Sequence, residues 1–484
     1  MFTDLREFVR FMESCGQLEV IRGADWDLEI GALTEQLVHH RGTPVVLFDE
    51  IKGYPKGRRV MVNALNTAPQ IAAVLNFPEP EKIQDKKQLI AAWRKHYRNH
   101  QTIPPVKVDR GAVLENVDRG DAVDLFQFPA PRWHRHDGGR YIGTGDLVIQ
   151  RDPDTGKINV ATYRVQVQEK NVVTIFMDQG KDGRIIREKY HARNQACPVV
   201  ICAGHAPDLF CIAGSTFPFG VEEYGVIGGL RGEPVEVIEG ENTGLPIPAG
   251  AEIAIEGQLL PPQQGTVKEG PFGEWPGYYG SGERAEPIVS VNAVYYRHDP
   301  IIFGMPPVRP PYMMIAEVRT AARIWDELEG AGLPGIKGVN MLPAGGVRFL
   351  QAIAIEAHYP GHAKQVGRAA SQCRTGGYLG RFTIVVDDDI DIYDTDEVLW
   401  AVSTRCDPAT DIEILQGCWS SPLDPIMPPE KKLKGDFTSS IAIIDATRPY
   451  HWRDEFPKDT RTDPELREVV YKKWEYLFRD LQRS

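Results

Sequence analysis

Apolar residues recur at Leu5, Phe8, Val9 and Met12, the three-and-four spacing of one helical face, with Asp4 and Glu7 in capping-box register and Gly16 as a stop. A short strand over residues 18–21 is expected next, then a helix over 27–40 and a continuous apolar run at 45–48 that reads as a buried strand. Alternation of this kind predicts an α/β module to about residue 115, with the basic stretch 86–100 as a solvated helix face. From about residue 118 the period changes. Short β-branched runs at 145–149, 172–176, 198–201 and 288–291 are separated by glycine and proline, which predicts an antiparallel barrel or sandwich. A helix over 313–328 leaves that region. The last module carries a helix at 362–376, a buried strand at 383–386 and a charged C-terminal helix over 463–481.

Bulk properties narrow the picture only a little. At 484 residues the chain exceeds what one core usually serves, so two or three domains are expected. A net charge of −12 speaks against non-specific nucleic-acid binding, which needs an electropositive surface. No run of eighteen apolar residues and no basic-then-apolar leader is present, so neither a membrane span nor a secretory signal is expected. Seven cysteines (Cys15, Cys197, Cys202, Cys211, Cys373, Cys406 and Cys418) form no CxxC pair, which fits a reducing cytoplasm.

The chemistry concentrates in Glu269-Gly270-Pro271-Phe272-Gly273-Glu274. Its glycine and proline frame favours a tight turn that presents two carboxylates from a fixed loop. Upstream, Asn159-Val160-Ala161-Thr162-Tyr163-Arg164 supplies an arginine able to hold one of those acids ionised or to clamp a substrate carboxylate. Taken singly, each has a plainer reading: a surface turn with two exposed acids, and a barrel salt bridge. Glu222-Glu223 would likewise serve as a solvated helix start, where acids gain from the helix dipole.

Five segments in order make the chain resemble the UbiD family of prenylated-FMN-dependent decarboxylases: 159–164; His191 within Lys189-Tyr190-His191; Glu222-Glu223-Tyr224 leading to Gly232; 269–274; and Val385-Val386-Asp387-Asp388-Asp389 leading to Ser403-Thr404-Arg405. The resemblance implies an α+β multidomain fold: an N-terminal α/β domain (1–115), a flavin-reductase-like split β-barrel (116–312), a linker helix (313–330) and a C-terminal α/β domain with an oligomerisation helix (331–484). It implies reversible, non-oxidative decarboxylation of an aromatic, heteroaromatic or α,β-unsaturated acid by covalent addition to prenylated FMN, releasing CO2.

By the same resemblance, Arg164 and Glu269 lie beside the cofactor ring and Glu274 is the acid and base at the reacting carbon. An apolar setting near Phe272 and Trp275 would keep Glu274 neutral while Arg164 holds Glu269 charged. Asn159, His191 and Glu223 match the ligands of a divalent ion, Mn²⁺ or Mg²⁺, that bridges to the cofactor phosphate. Thr162, Tyr163, Tyr190 and Thr216 fall in cofactor-contacting segments, with K⁺ held by backbone carbonyls over 214–218. Arg374 or Arg381 would meet the phosphate. Implied partners are a flavin prenyltransferase that supplies the cofactor and further copies of the chain, as homodimer or homohexamer. Trp275, Tyr278, Tyr279, Met305 to Val308 and Cys418 to Pro425 are candidate substrate walls, with an aryl or heteroaryl acid preferred and a cinnamate-like or polyprenyl hydroxybenzoate substrate left open. Two other classes stay in view: a metal-dependent hydrolase built on Asn159, His191 and Glu223, and a flavin-binding protein without turnover.

Overall fold

A computed structural model describes residues 2–40, 43–98, 101–309 and 313–477. The far ends of two expected helices, residues 99–100 and 478–481, lie outside the described residues. The N-terminal helix is Leu5–Ser14, with the Asp4 side chain accepting from the Glu7 amide at 2.8 Å and Leu5, Phe8, Val9 and Met12 buried. Strands Leu18–Arg22, Val45–Asp49 and Arg59–Val62 follow as a sheet, whose fourth member is Ile301–Phe303, pairing in parallel with Arg59–Val62.

Helix Lys86–Arg98 keeps the expected solvated face at Lys87, Lys95 and Arg98, but its other side is buried. Leu89, Ile90 and Trp93 turn inward, Arg94 stacks 3.8 Å over the Trp325 ring, and Lys86 Nζ lies 2.7 Å from Glu317 Oε2. Long basic side chains bury their stems while the charged ends find partners, so this helix docks on helix Met314–Gly330.

The middle of the chain forms a ten-stranded, wholly antiparallel sheet that curls into an open half-barrel. Its organising member is the 13-residue strand Arg284–Tyr296, which pairs with strands on both sides along its length. Alternate residues of the curled sheet fill two cores, each shared with one face of the N-terminal sheet; the first also takes in the buried sides of helices Leu5–Ser14, Lys86–Arg98 and Met314–Gly330.

Helix Met314–Gly330 then leads into a five-stranded sheet in the order Ile336–Met341, Leu350–Ile355, Phe382–Asp387, Thr438–Ala446, Ile412–Trp419. The helix expected at 362–376 breaks at Cys373, whose extended backbone separates His362–Gln372 from the short turn Arg374–Gly377. The acidic run after Phe382–Asp387 fastens this sheet: buried Asp387 accepts from Arg405 at 3.1 Å, from the Arg448 amide at 2.7 Å and from Arg453 at 2.7 Å. A carboxylate removed from water is tolerated because several charged donors satisfy it.

Candidate active site

Between the concave sheet and the C-terminal sheet lies a cavity of about 310 Å³, within the range of small-molecule sites. Its floor is the Arg164 cluster. Arg164 opens strand Arg164–Glu169, opposite Phe176, and its guanidinium rests 4.3 Å from that ring. It grips Glu269 through two parallel hydrogen bonds, Nε to Oε1 at 2.7 Å and Nη2 to Oε2 at 2.6 Å.

The two acids are not exposed on a surface turn. Glu269 is fully buried and Glu274 is 5% exposed. Three amides of the hexapeptide are tied down: Gly270 N–H donates to Gln166 Oε1 at 3.0 Å, Gly273 N–H to Asp137 Oδ1 at 2.9 Å and Glu274 N–H to the Tyr278 carbonyl at 3.0 Å. Gly270 is required as glycine. Its φ is +80° and a Cβ would meet the Gly282 carbonyl oxygen at 2.5 Å.

The expected division, in which Arg164 holds Glu269 while Glu274 stands alone in an apolar setting, is not what the structure contains. Arg164 Nη1 also donates to Glu274, and Ser281 Oγ bridges the two at 3.1 Å and 2.8 Å. One guanidinium therefore joins both carboxylates. The reason is the tight turn itself, which brings positions five apart back to the same cation.

Further along the wall stand Asn159, Thr162, Tyr163, Thr216, Glu223 and Arg374. Asn159 sits on strand Ile158–Ala161 with its Nδ2 buried and unpartnered. Glu223 opens helix Glu223–Arg231 and accepts from the Val160 amide at 2.8 Å; burial pushes its carboxyl up to about 8. Tyr163 accepts from the Gly183 amide at 3.1 Å.

Three expected site residues are elsewhere. His191 stands near the end of helix Asp182–Ala192, with Nε2 3.2 Å from the Leu259 carbonyl oxygen and no place on the cavity wall. At a rise of about 1.5 Å per residue it lies roughly 13 Å along the helix from Asp182, which does line the cavity. The set Asn159, His191 and Glu223 is therefore not assembled. Tyr190 packs on the half-barrel core, and Arg381 turns to Asp424 at 2.5 Å, so neither lines the cavity. Arg374 does, and pairs with Asp182 at 2.9 Å.

Other wall residues had no sequence motif. Lys181 lies 3.8 Å over the Tyr378 ring, and burial with Arg348 and Arg374 nearby brings its ammonium down to about 7. Asp178 accepts from Tyr378, and Arg319 and Arg348 reach in from the linker helix and from the loop before Leu350–Ile355. The available signal was a polar loop, Asp178-Gln179-Gly180-Lys181-Asp182, directly after an apolar strand; the two arginines carried none. Of the expected substrate walls, Trp275, Met305, Pro307, Trp419 and Leu423 line the cavity, whereas Tyr278 is 59% exposed and Tyr279 packs against His136.

Part of the donor set fits the implied divalent ion. An amide oxygen and a carboxylate suit a hard cation, and Asp182 adds a third oxygen beside Glu223, where its charge opposes ionisation of the glutamate. The imidazole of His191 does not fit the set.

Comparison with known proteins places this geometry. The chain matches three family profiles, described as the 3-octaprenyl-4-hydroxybenzoate carboxy-lyase N-terminal domain over residues 9–90, its Rift-related domain over 105–310 and its C-terminal domain over 313–446. It is 30% identical over 448 residues to the pyrrole-2-carboxylic acid decarboxylase of Pseudomonas aeruginosa, covering 89% of each chain. Among solved structures it is similar to the vanillic acid decarboxylase of Sedimentibacter hydroxybenzoicus in its closed form, with TM-score 0.84, 28% identity and full coverage of both chains. It is also similar to the UbiD-class enzyme HmfF of Pelotomaculum thermopropionicum in complex with FMN, with TM-score 0.81 and 29% identity over 97% of this chain and 100% of the other. An evolved dimeric form of HmfF, in complex with prFMN, gives a TM-score of 0.79.

Proposed function

Because the chain belongs to the UbiD family of carboxy-lyases, we propose that it removes CO2 from an aromatic, heteroaromatic or α,β-unsaturated carboxylic acid at the Arg164–Glu269–Glu274 cluster. The observation that carries this reading is one buried guanidinium shared by two carboxylates on the wall of the cavity. Bound there, prenylated FMN would supply the electron sink that no side chain offers to an sp² carbanion. Glu269, held by the Nε and Nη2 edge of the guanidinium, fixes Arg164 in place. Nη1 is the edge that meets the incoming carboxylate. As that carboxylate competes for Nη1 the contact to Glu274 opens, which frees Glu274 to move a proton at the carbon that loses CO2. Phe176 beneath the guanidinium and Phe272 beside it keep water away from this exchange.

Asn159, Thr162, Thr216, Glu223 and Arg374 would receive the cofactor's phosphate end, with K⁺ on the carbonyls of 214–218. Mn²⁺ or Mg²⁺ would sit on Asn159, Asp182 and Glu223. A flavin prenyltransferase would supply the cofactor. The hydrolase alternative needs His191 beside Asn159 and Glu223, and that arrangement is absent. A homo-oligomer is supported by helix Pro464–Lys473, which leaves Leu466, Val469 and Val470 exposed. The setting is taken as cytoplasmic: all seven cysteines are free, and among the described residues no helix is long and apolar enough to cross a membrane.

The test is the absorption spectrum and released-cofactor mass of protein co-produced with a flavin prenyltransferase without air, followed by CO2 release from aromatic acids. A mass above FMN by one five-carbon unit together with CO2 release is expected. Protein that holds no flavin under these conditions would overturn the reading.

A further inference from the structure

Among the described residues five cations line the cavity, and three have counter-charges. Arg164 is held by Glu269 and Glu274, Arg374 by Asp182, and Lys181 stands between Asp178 and Asp182 over an aromatic face. Arg319 and Arg348 are different. Among the described residues neither makes an ion pair, and Arg319 Nε and Nη1 are buried with no hydrogen-bond partner. Arg348 spends only Nη1, on the Thr375 carbonyl at 3.1 Å. Burial and the positive field of Arg348 lower Arg319 to about 10, and burial lowers Arg348 as well, against the pull of Tyr378 and of Glu327, which attracts it without forming an ion pair. A guanidinium withdrawn from water without a partner is strongly unfavourable, and two facing one cavity call for an anion from outside the chain.

We propose that Arg319 and Arg348 receive a second anionic group of the substrate, so that the enzyme acts on a dicarboxylate with its reacting carboxylate at Arg164 and its other carboxylate on this pair. The proposal rests on the decarboxylase reading and specifies its substrate class. The pair is tied to the reacting end. Arg348 precedes Phe349, whose ring packs at 5.3 Å on Trp275, the residue after Glu274. Arg319 continues a three-residue stripe, Met313, Ala316, Arg319, along the cavity side of the linker helix. The same wall also carries the apolar residues Met305, Pro307, Met313, Ala316 and Val347, which suit a flat hydrocarbon or ring. Two planar forks also match carboxylate geometry.

A flavin phosphate offers the same anionic chemistry, and Arg319 lies on the backbone of Gly214, where a Cβ would meet Nη1 at 2.0 Å. The experiment therefore separates the two sources. Calorimetric titration of flavin-loaded protein compares benzoate with terephthalate, and pyrrole-2-carboxylate with pyrrole-2,5-dicarboxylate. The dicarboxylate of at least one pair is expected to bind about tenfold tighter or more, as one added charge-assisted bidentate contact should give. Arg319→Gln and Arg348→Gln should each abolish that advantage while the FMN affinity of unloaded protein is unchanged. Arg319→Lys, which keeps the charge and loses the fork, should retain part of it. Folding is checked by thermal melting, where Arg319→Gln should melt no lower than the parent because it removes an unpaired buried cation. Equal binding of mono- and dicarboxylates would overturn the proposal, as would a preference that survives both glutamine variants. FMN affinity lost in Arg319→Gln with the preference intact would assign the pair to phosphate instead. Failure of the decarboxylase reading would register separately, as flavin-loaded parent protein that releases no CO2 from any aromatic acid, and leaves the charge preference measurable.

Discussion

Tyr378 donates to Asp178 at 2.6 Å across the seam between the half-barrel and the C-terminal sheet, and Ser421 donates to the same carboxylate oxygen. Asp178 follows the strand Val172–Phe176, whereas both donors belong to the far side of the cavity. The contact is thus a clasp that keeps the two walls together. In Tyr378→Phe one donor is lost, with an expected cost of about 1 kcal/mol because Ser421 still satisfies the oxygen. The variant should show faster amide exchange over residues 374–381 and a KM raised more than kcat is lowered. A kcat loss at unchanged KM and unchanged exchange would remove the clasp from the account.

Glu274→Gln keeps the shape of the side chain and its contact to Ser281 but cannot carry the proton. CO2 release should fall by roughly 10²–10⁴ or more, with flavin content unchanged. Full activity, or loss of the flavin, would sink the role assigned to Glu274.

His191→Ala and Glu223→Gln separate the two halves of the implied metal set. With its ring on the Leu259 carbonyl, His191 should be replaceable without change in bound metal or flavin, measured by elemental analysis and absorbance. Glu223→Gln should lower the metal content. The reverse ranking would restore the histidine to the ligand set.

His205 provides a pH test away from the site. Its ring is fully buried, with Nδ1 2.9 Å from the Ala206 carbonyl oxygen and Nε2 3.1 Å from that of Gly145. Burial lowers it to about 4, outweighing the pull of those carbonyls and of Asp208. The unfolded chain therefore takes up this proton first as pH falls. Its contribution is fully present above the unfolded value of 6.5 and is lost between there and 4, at about 1.4 kcal/mol per pH unit. Urea unfolding from pH 7 to 4.5 should show that slope, and His205→Gln should flatten it.

Local structure was legible wherever one period ruled. The N-terminal helix, the buried strand at Val45–Asp49 and the linker helix were all readable from spacing, because each buries a single stripe or a continuous run. The hexapeptide and Arg164 were readable as a pair from residue type. What the sequence withheld was direction. His191 and Asp182 share one helix, and only the packing of that helix on the half-barrel decides that Asp182 meets the cavity. Basic residues misled for a related reason: Lys86 and Arg94 read as solvated until their partners, Glu317 and Asp326, arrive from more than two hundred residues away. Arg319 was invisible because one arginine on an amphipathic helix is ordinary, and its lack of a partner is a property of three dimensions.

The strand Ile301–Phe303, which completes the N-terminal sheet, bears on how the protein is made. Its neighbour, Arg59–Val62, leaves the ribosome with that edge unpaired, and at typical elongation rates the missing strand follows on the order of tens of seconds later. Throughout that interval the nascent chain presents a short open edge flanked by an apolar core. The N-terminal segment is therefore a poor fragment to express alone: it would lack its fourth strand permanently, and a chaperone that shields the edge early in synthesis would raise the yield of the whole chain.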